Sequence, residues 1–536
     1  MSVFSVNPRE DNPVTTQVLA TVCARLGVEI ADDEKDDYRR LLAVFHESAE
    51  QLMAMPDYEP QVDLSRFPRE NVYYPKKEDN TNGAWAWRCT IKDKEGRGGV
   101  LTGKTVVLKD MISVKDVPML MGTEFVDGYV PTIDATVVTR ILTHGGEVVG
   151  KAVCENLCHS GTSHSAASGV VENPYVAGYS AGGSSSGSGV LVALGEADMS
   201  IGADQGGSVR IPACNCGIVG FKPTFGLVPY TGCGSNEPTN DHLGPMTRTV
   251  IENAMLLEAI AGSDNIDDRS FAAGPPEKLP KYSAALAALS SPVDLTGFKI
   301  GIIAESLTSP VLDQRLKATF LHAAELYRSL GATVTEISIP IHAKGSTIWT
   351  AISKVSGYFT KSPGTFGRRG HNMNELNALF SSALGNQQRW DKAYVATKNV
   401  FLNGAYAATA FPGLVGKATN LSRQLRDAYD AALEEVDVLL TPTLPYLATS
   451  HSAVDARPIE QIEKQVGLTG NTCPFNQTGH PALTLPVGML EIVEGPAKGT
   501  GAKLPVGMQI VGKWWAEETV LKAAFAWETS WDWKTM

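Results

Sequence analysis

Two lysines stand five residues apart in the stretch 98–110, "GGVLTGKTVVLKD", and they offer different chemistries. Lys104 completes Gly98-x4-Gly103-Lys104-Thr105, which fits the P-loop rule for cradling nucleotide phosphates. A P-loop needs a buried strand running into the glycine turn and a helix opening at the Lys-Thr. Here the polar run "KDKEGR" precedes the turn and the β-branched run "TVVLK" follows it, so the order is loop, then strand. Lys104 is therefore expected to be a solvated lysine at a strand entrance. Lys109 ends the apolar strand, where its side chain can be carried inward. Burial disfavours the charged form of an amine, so a buried lysine with a suitable partner can serve as a base.

Candidate partners lie in 178–210, "GYSAGGSSSGSGVLVALGEADMSIGADQGGSVR". Its glycines and serines are interrupted by a helix-like "VLVALG" and a strand-like "MSIGA", so it reads as a packed region and not a flexible linker. Gly183-Ser184-Ser185-Ser186-Gly187 fits the G-x-S-x-G nucleophile elbow, but the elbow needs a strand directly before it and "NPYVAGYSAG" is turn-like. The elbow stands as the alternative. The turn "GADQGGSVR" follows a strand, and its glycines let the amides of Gln205, Gly206, Gly207 and Ser208 point at one place. Such a nest stabilises an oxyanion, and a serine at its end is placed to attack the carbonyl. Asp204 and Arg210 bracket the turn and are expected to brace it as an ion pair.

The elements that must hold these groups alternate from about residue 100 onward. "TVVLKD", "EVVGKAV", "FKIGIIAE", "ATVTEISI", "VDVLLTP" and "LPVGMQIVG" read as strands. "DATVVTRILTHGG", with Asp134 as its cap, "SPVLDQRLKATFLHAAELYRSLG" and residues 516–530 read as helices. The fold class is α/β with a mixed central sheet flanked by helices. Two helices over 14–55, the second with Leu41, Leu42, Phe45 and Leu52 on one face, predict a small helical N-terminal domain. A polar linker is expected over 57–97, so the chain divides into 1–80 and 81–536. Residues 343–435 are expected to be a helical layer, a possible cover over a site.

Composition narrows the function class. The 536 residues are 43% hydrophobic with a net charge of −12, which suits a globular chain and disfavours nucleic acid or anionic membranes as partners. Eight cysteines and ten histidines show neither zinc-site nor H-E-x-x-H spacing, so no metal is expected. Thiols without a disulfide pattern, no apolar signal core and no run of ~20 apolar residues lead to the expectation of a cytoplasmic protein.

Several long motifs in fixed order resemble the amidase signature family: "VLKD" around Lys109, "AGGSS" at 181–185, "GADQGGSVRIPA" at 202–213, "GIVGFKPTFGLVPYTG" at 217–232, "DHLGPMTRT" at 241–249, "NQTGHPALTLPVG" at 476–488 and "LPVGMQIVG" at 504–512. "GKAVCENLC" and the N-terminal helices look most like amidases that act after nitrile hydratase, with related urethanases beside them. The resemblance implies a Ser-cisSer-Lys triad: Ser208 as nucleophile, Ser184 after a cis Gly183-Ser184 bond as proton bridge, and Lys109 as base. It implies backbone amides of Gln205, Gly206, Gly207 and Ser208 as oxyanion hole, with Ser185, Asp204 and Arg210 behind them. No cofactor is implied. The implied activity is hydrolysis of small carboxamides, with carbamates as a further class, by a homodimer without nucleic acid or membrane partners. An amidotransferase subunit of a tRNA-dependent complex and an acyl-transferring relative are the alternatives. Ser186 stands where the family usually has glycine, which questions how the helix start packs, and Gln205 where it often has threonine. His480 in "TGHP" is read as structural. Pocket residues are expected from 160–165, around Trp349 and from 370–410.

Overall fold

The β-branched and apolar runs pair edge to edge into one sheet. The computed structural model describes residues 5–362, 368–453 and 455–536. Among them are twelve strands: β1 (Glu70–Tyr73), β2 (Trp85–Ile91), β3 (Thr105–Lys109), β4 (Glu147–Ala152), β5 (Met199–Asp204), β6 (Val219–Lys222), β7 (His242–Thr247), β8 (Lys299–Ile303), β9 (Thr333–Ile337), β10 (Val438–Pro442), β11 (Ala482–Glu491) and β12 (Lys503–Val511). Their order is β1-β2-β4-β3-β5-β7-β6-β11-β12-β10-β8-β9. β3 runs parallel to β4 and β5, and β8 parallel to β9 and β10. The other neighbours are antiparallel, so the sheet is mixed as expected.

Central strands read as continuous runs because both faces are covered. Every residue of β5 and β7 is buried. Helices Arg210–Cys216, Gln314–Leu326 and Glu517–Glu528 pack on β11 and β12, and the short helix Ser186–Ala193 packs on β3, β4, β5 and β7. Residues 343–435 are mostly helical where described, with helices at Gly345–Lys361, Asn374–Leu384, Gln387–Lys392, Val395–Ala410 and Leu414–Glu435.

Three expectations are corrected. The stretch 57–97 contains β1 and β2 and is not a plain linker; Trp85 is fully buried, with the Arg88 guanidinium 4.1 Å from its ring. Tryptophan and β-branched residues in a short run outweighed the polar average there. Asp134 does not cap the helix Thr136–Thr143, which starts at Ala135 without a side-chain cap. Its carboxylate is taken instead by Arg69 and the Lys115 amide. In the N-terminal helical unit, which ends at Pro60, helix Lys35–Met53 buries Ala43 and Val44, while Leu41, Phe45 and Leu52 are exposed. Apolar spacing marked a stripe but could not say what covers it.

Trp85→Ala tests whether β2 is integral to the large unit. Removing a buried tryptophan costs about 3–5 kcal/mol, to be read as a lower urea midpoint at unchanged slope. A change below about 1 kcal/mol would return this stretch to the status of a surface wrap.

Candidate active site

Parallel pairing of β3 and β5 brings two strand ends together. Their register aligns Val106 with Met199 and Leu108 with Ile201, so Lys109 ends β3 beside the C-terminal half of β5. Lys109 is 1% exposed. Its Nζ lies 2.7 Å from Ser184 Oγ and donates to the Ala203 carbonyl at 3.2 Å. A buried amine needs such partners, because each unsatisfied donor would carry its full desolvation cost. Ser184 is fully buried, and the Gly183–Ser184 peptide is cis. Only glycine fits at 183: a Cβ there would come within 2.2 Å of the Thr162 carbonyl oxygen and 2.7 Å of the Glu155 side chain. Residues 160–165 therefore wrap this segment from behind.

Ser185 Oγ bonds both the amide and the carbonyl of Ala203 at 3.3 Å, tying the same segment to β5. Ser186 is buried and donates to Glu155 Oε1 at 2.9 Å. Glu155 also accepts from the Ser165 amide and hydroxyl, and its own amide donates to the Ser184 carbonyl. The hydroxyl in place of a glycine is thus absorbed by a buried carboxylate. Burial raises the Glu155 pKa to about 7, against the lowering effect of these hydrogen bonds.

The turn after β5 is organised by Asp204. Its carboxylate accepts from the amides of Gly207 (2.7 Å) and Val209 (3.1 Å), from Arg210 Nε and Nη2, and from Asn476 Nδ2. Asp204 and Arg210 are both fully buried, 2.9 Å apart. Burial alone would raise the Asp204 pKa; the Arg210 charge and hydrogen bonds, with Asn476, hold it well below the usual carboxylate range. One expectation is revised here. The Gly207 N–H points at Asp204 and is not free for a ligand. Among the described residues no acceptor takes the N–H of Gln205, Gly206 or Ser208. The turn's carbonyls are also occupied: Trp349 Nε1 donates to Gln205 O at 2.8 Å and Thr472 Oγ1 to Gly206 O at 2.7 Å.

Lys109, Ser184, Gln205 and Ser208 line one cavity, with Met111, Cys158, Tyr230, Gly234, Asn236 and Asp241. Ser208 is half-buried, and its hydroxyl makes no hydrogen bond among the described residues. The lining residues from Met111 to Asp241 were missed from sequence; Cys158, Tyr230 and Asp241 fall inside quoted motifs, which flagged the stretches but not the side chains. Lys361 donates to Ser235 O (2.7 Å) and Asn236 Oδ1 (2.6 Å), tying the helix Gly345–Lys361 to the cavity wall. Burial lowers the Lys361 pKa to about 8. Lys104 lies apart, paired with Glu252 at 2.9 Å before a strand and not before a helix. Before Gly183 there are only isolated bridges at Glu172, Tyr179 and Ser180, so the elbow geometry is absent among the described residues. His480 is buried between Asp430 and Thr478.

The Amidase family model matches residues 77–521. The chain belongs to the amidase signature family. An enantioselective amidase of Rhodococcus rhodochrous is 39% identical over 453 residues, 82% of each chain. A glutamyl-tRNA(Gln) amidotransferase subunit of Methanosarcina mazei is 32% identical over 452 residues, 83% of this chain and 87% of that one. Among solved structures, the peptide amidase from Stenotrophomonas maltophilia matches with a TM-score of 0.64 at 26% identity, over 81% of this chain and 84% of that one. The large mixed sheet flanked by helices is the architecture these amidase signature proteins share.

Asp204→Asn leaves Arg210 buried and uncompensated, which costs about 3–5 kcal/mol at neutral pH. The folded pKa of Asp204 is depressed, so its contribution is complete above the unfolded value of ~3.9 and is lost as pH falls through the folded value. Melts of parent and variant should therefore differ by a constant margin from pH 7 to 5. A margin that closes within that range would show that the pair does not brace the turn.

Proposed function

We propose that this protein hydrolyses small carboxamides to carboxylic acid and ammonia through an acyl-enzyme on Ser208. The observation that carries the reading is the 2.7 Å Lys109–Ser184 contact beside a turn with three uncommitted N–H groups around Ser208. Ser208 Oγ attacks the amide carbonyl carbon while its proton passes through Ser184 to Lys109 Nζ. The oxyanion is received by the N–H groups of Gln205, Gly206 and Ser208, and Gly207 is left to Asp204. Ser184 then hands a proton to the departing nitrogen and ammonia leaves. Water repeats the sequence on the ester, releasing the acid and restoring Ser208.

Carbamates present the same carbonyl and nitrogen to this machinery, so they are included as substrates. The 39% identity to an enantioselective amidase supports action without a tRNA partner. We infer a homodimer, supported by the apolar row Leu41, Phe45 and Leu52 left exposed on the helix Lys35–Met53. Eight free cysteines suit the reducing cytoplasm. Among the described residues no helix is long and apolar enough to cross a membrane. The second reading, an amidotransferase component, rests on the 32% identity to such proteins.

The test is ammonia release by the purified chain alone over aliphatic amides, aromatic amides and ethyl carbamate. Ser208→Ala should abolish release with an unchanged melt, and Lys109→Met should lower kcat by at least ~10²-fold, the scale of general-base catalysis. Parental turnover in Ser208→Ala would overturn the nucleophile. Release only with a charged tRNA and a partner protein would favour the amidotransferase.

A further inference from the structure

We propose that Trp349 is a positioning residue that aims the Gly206 N–H into the oxyanion site; this rests on the acyl-enzyme reading of the turn. The amide C=O of Gln205 and the N–H of Gly206 belong to one peptide. In a trans peptide these two groups point in opposite directions. Whatever fixes the carbonyl therefore fixes the N–H. The Trp349 indole donates to Gln205 O at 2.8 Å and so turns the opposite edge, the Gly206 N–H, away from itself. A hydrogen bond accepted by the carbonyl also polarises the amide and strengthens its N–H as a donor.

Contact supports the same assignment. A Cβ at Gly206 would stand 2.6 Å from the indole, so the ring lies directly against the peptide it bonds. The neighbouring peptide provides an internal comparison. Thr472 Oγ1 holds Gly206 O at 2.7 Å, and the N–H of that peptide is Gly207, which faces Asp204. The two carbonyl clamps thus have different consequences. One serves a free N–H, and the other serves an N–H already spent on bracing.

Trp349 sits on the helix Gly345–Lys361, whose far end bonds the cavity wall through Lys361, Ser235 and Asn236. A single helix thereby reaches both the oxyanion turn and the cavity wall. This links the helical layer over 343–435 to the chemistry.

The experiment compares Trp349→Phe, which keeps a ring and removes the donor, with Thr472→Val. Losing one oxyanion donor costs ~10²–10³ in kcat, so a donor left present but poorly aimed should cost ~10–100-fold, with KM within ~3-fold. Affinity for a boronic acid matching the best amide substrate, which forms a tetrahedral adduct on a serine, should weaken by the same factor. Affinity for the product carboxylate should not change. Thr472→Val should lose less than ~10-fold in kcat, since the N–H it governs is not an oxyanion donor. Equal losses in both variants, or a loss in Trp349→Phe that falls on KM and on carboxylate affinity, would overturn the proposal. If Trp349→Phe does not fold, Trp349→His, which keeps a ring N–H, and Trp349→Leu, which does not, are compared on the same readouts; equal kcat values would overturn it. A parent that neither hydrolyses amides nor binds the boronic acid would instead refute the reading of the site itself.

Discussion

A lysine amine buried at the end of a central strand must be given hydrogen-bond partners, and the centre of this molecule is arranged around that constraint. Lys109 finds Ser184 Oγ and the Ala203 carbonyl. Ser184 can be there only because Gly183 has no side chain and because Ser160, Thr162 and Glu155 close over that glycine. Ala203 can be there only because β5 runs parallel to β3 in the right register. The same carbonyl and the amide of Ala203 hold Ser185, so the strand and the segment beside it are locked at two points. The helix that begins at Ser186 then starts from a fixed place.

The turn that carries Ser208 follows a second rule: a buried carboxylate organises whatever donors reach it. Asp204 collects five donors from Gly207, Val209, Arg210 and Asn476. Those bonds consume one of the amides that sequence reasoning assigned to the oxyanion. They also orient the others, since a turn with two amides fixed and the Gln205 carbonyl clamped by Trp349 has little freedom left. The amides that remain uncommitted are preorganised, which is where electrostatic catalysis acquires its advantage over water.

Much of this was legible from local pattern. The choice of Lys109 over Lys104 needed only the position of the strand relative to the glycines, and the structure sets Lys104 against Glu252. The strands from β3 onward that read as β-branched runs form where expected, and the run over 343–435 is mostly helical where described. What could not be read is what depends on distant pairing. β1 and β2 sit in a stretch of polar average composition; β2 is held by pairing with β4, dozens of residues away, and β1 by pairing with β2. The cavity wall gathers Met111 from the connection after β3, Cys158 from the one after β4, and Tyr230, Asn236 and Asp241 from the one between β6 and β7. No periodicity within a loop announces which side chains meet. The Gly207 amide was misassigned for a related reason: a glycine turn shows where N–H groups can converge, but not that a carboxylate three residues back will take one of them.

The acyl-enzyme on Ser208 is open to direct observation by rapid-quench mass spectrometry of the enzyme with a slowly deacylating amide, followed by peptide mapping. The expected result is a transient mass gain equal to the acyl group, located on Ser208 and absent from Lys109→Met on the same timescale. An adduct on Ser184, or amide hydrolysis with no adduct during a clear burst of ammonia, would contradict it.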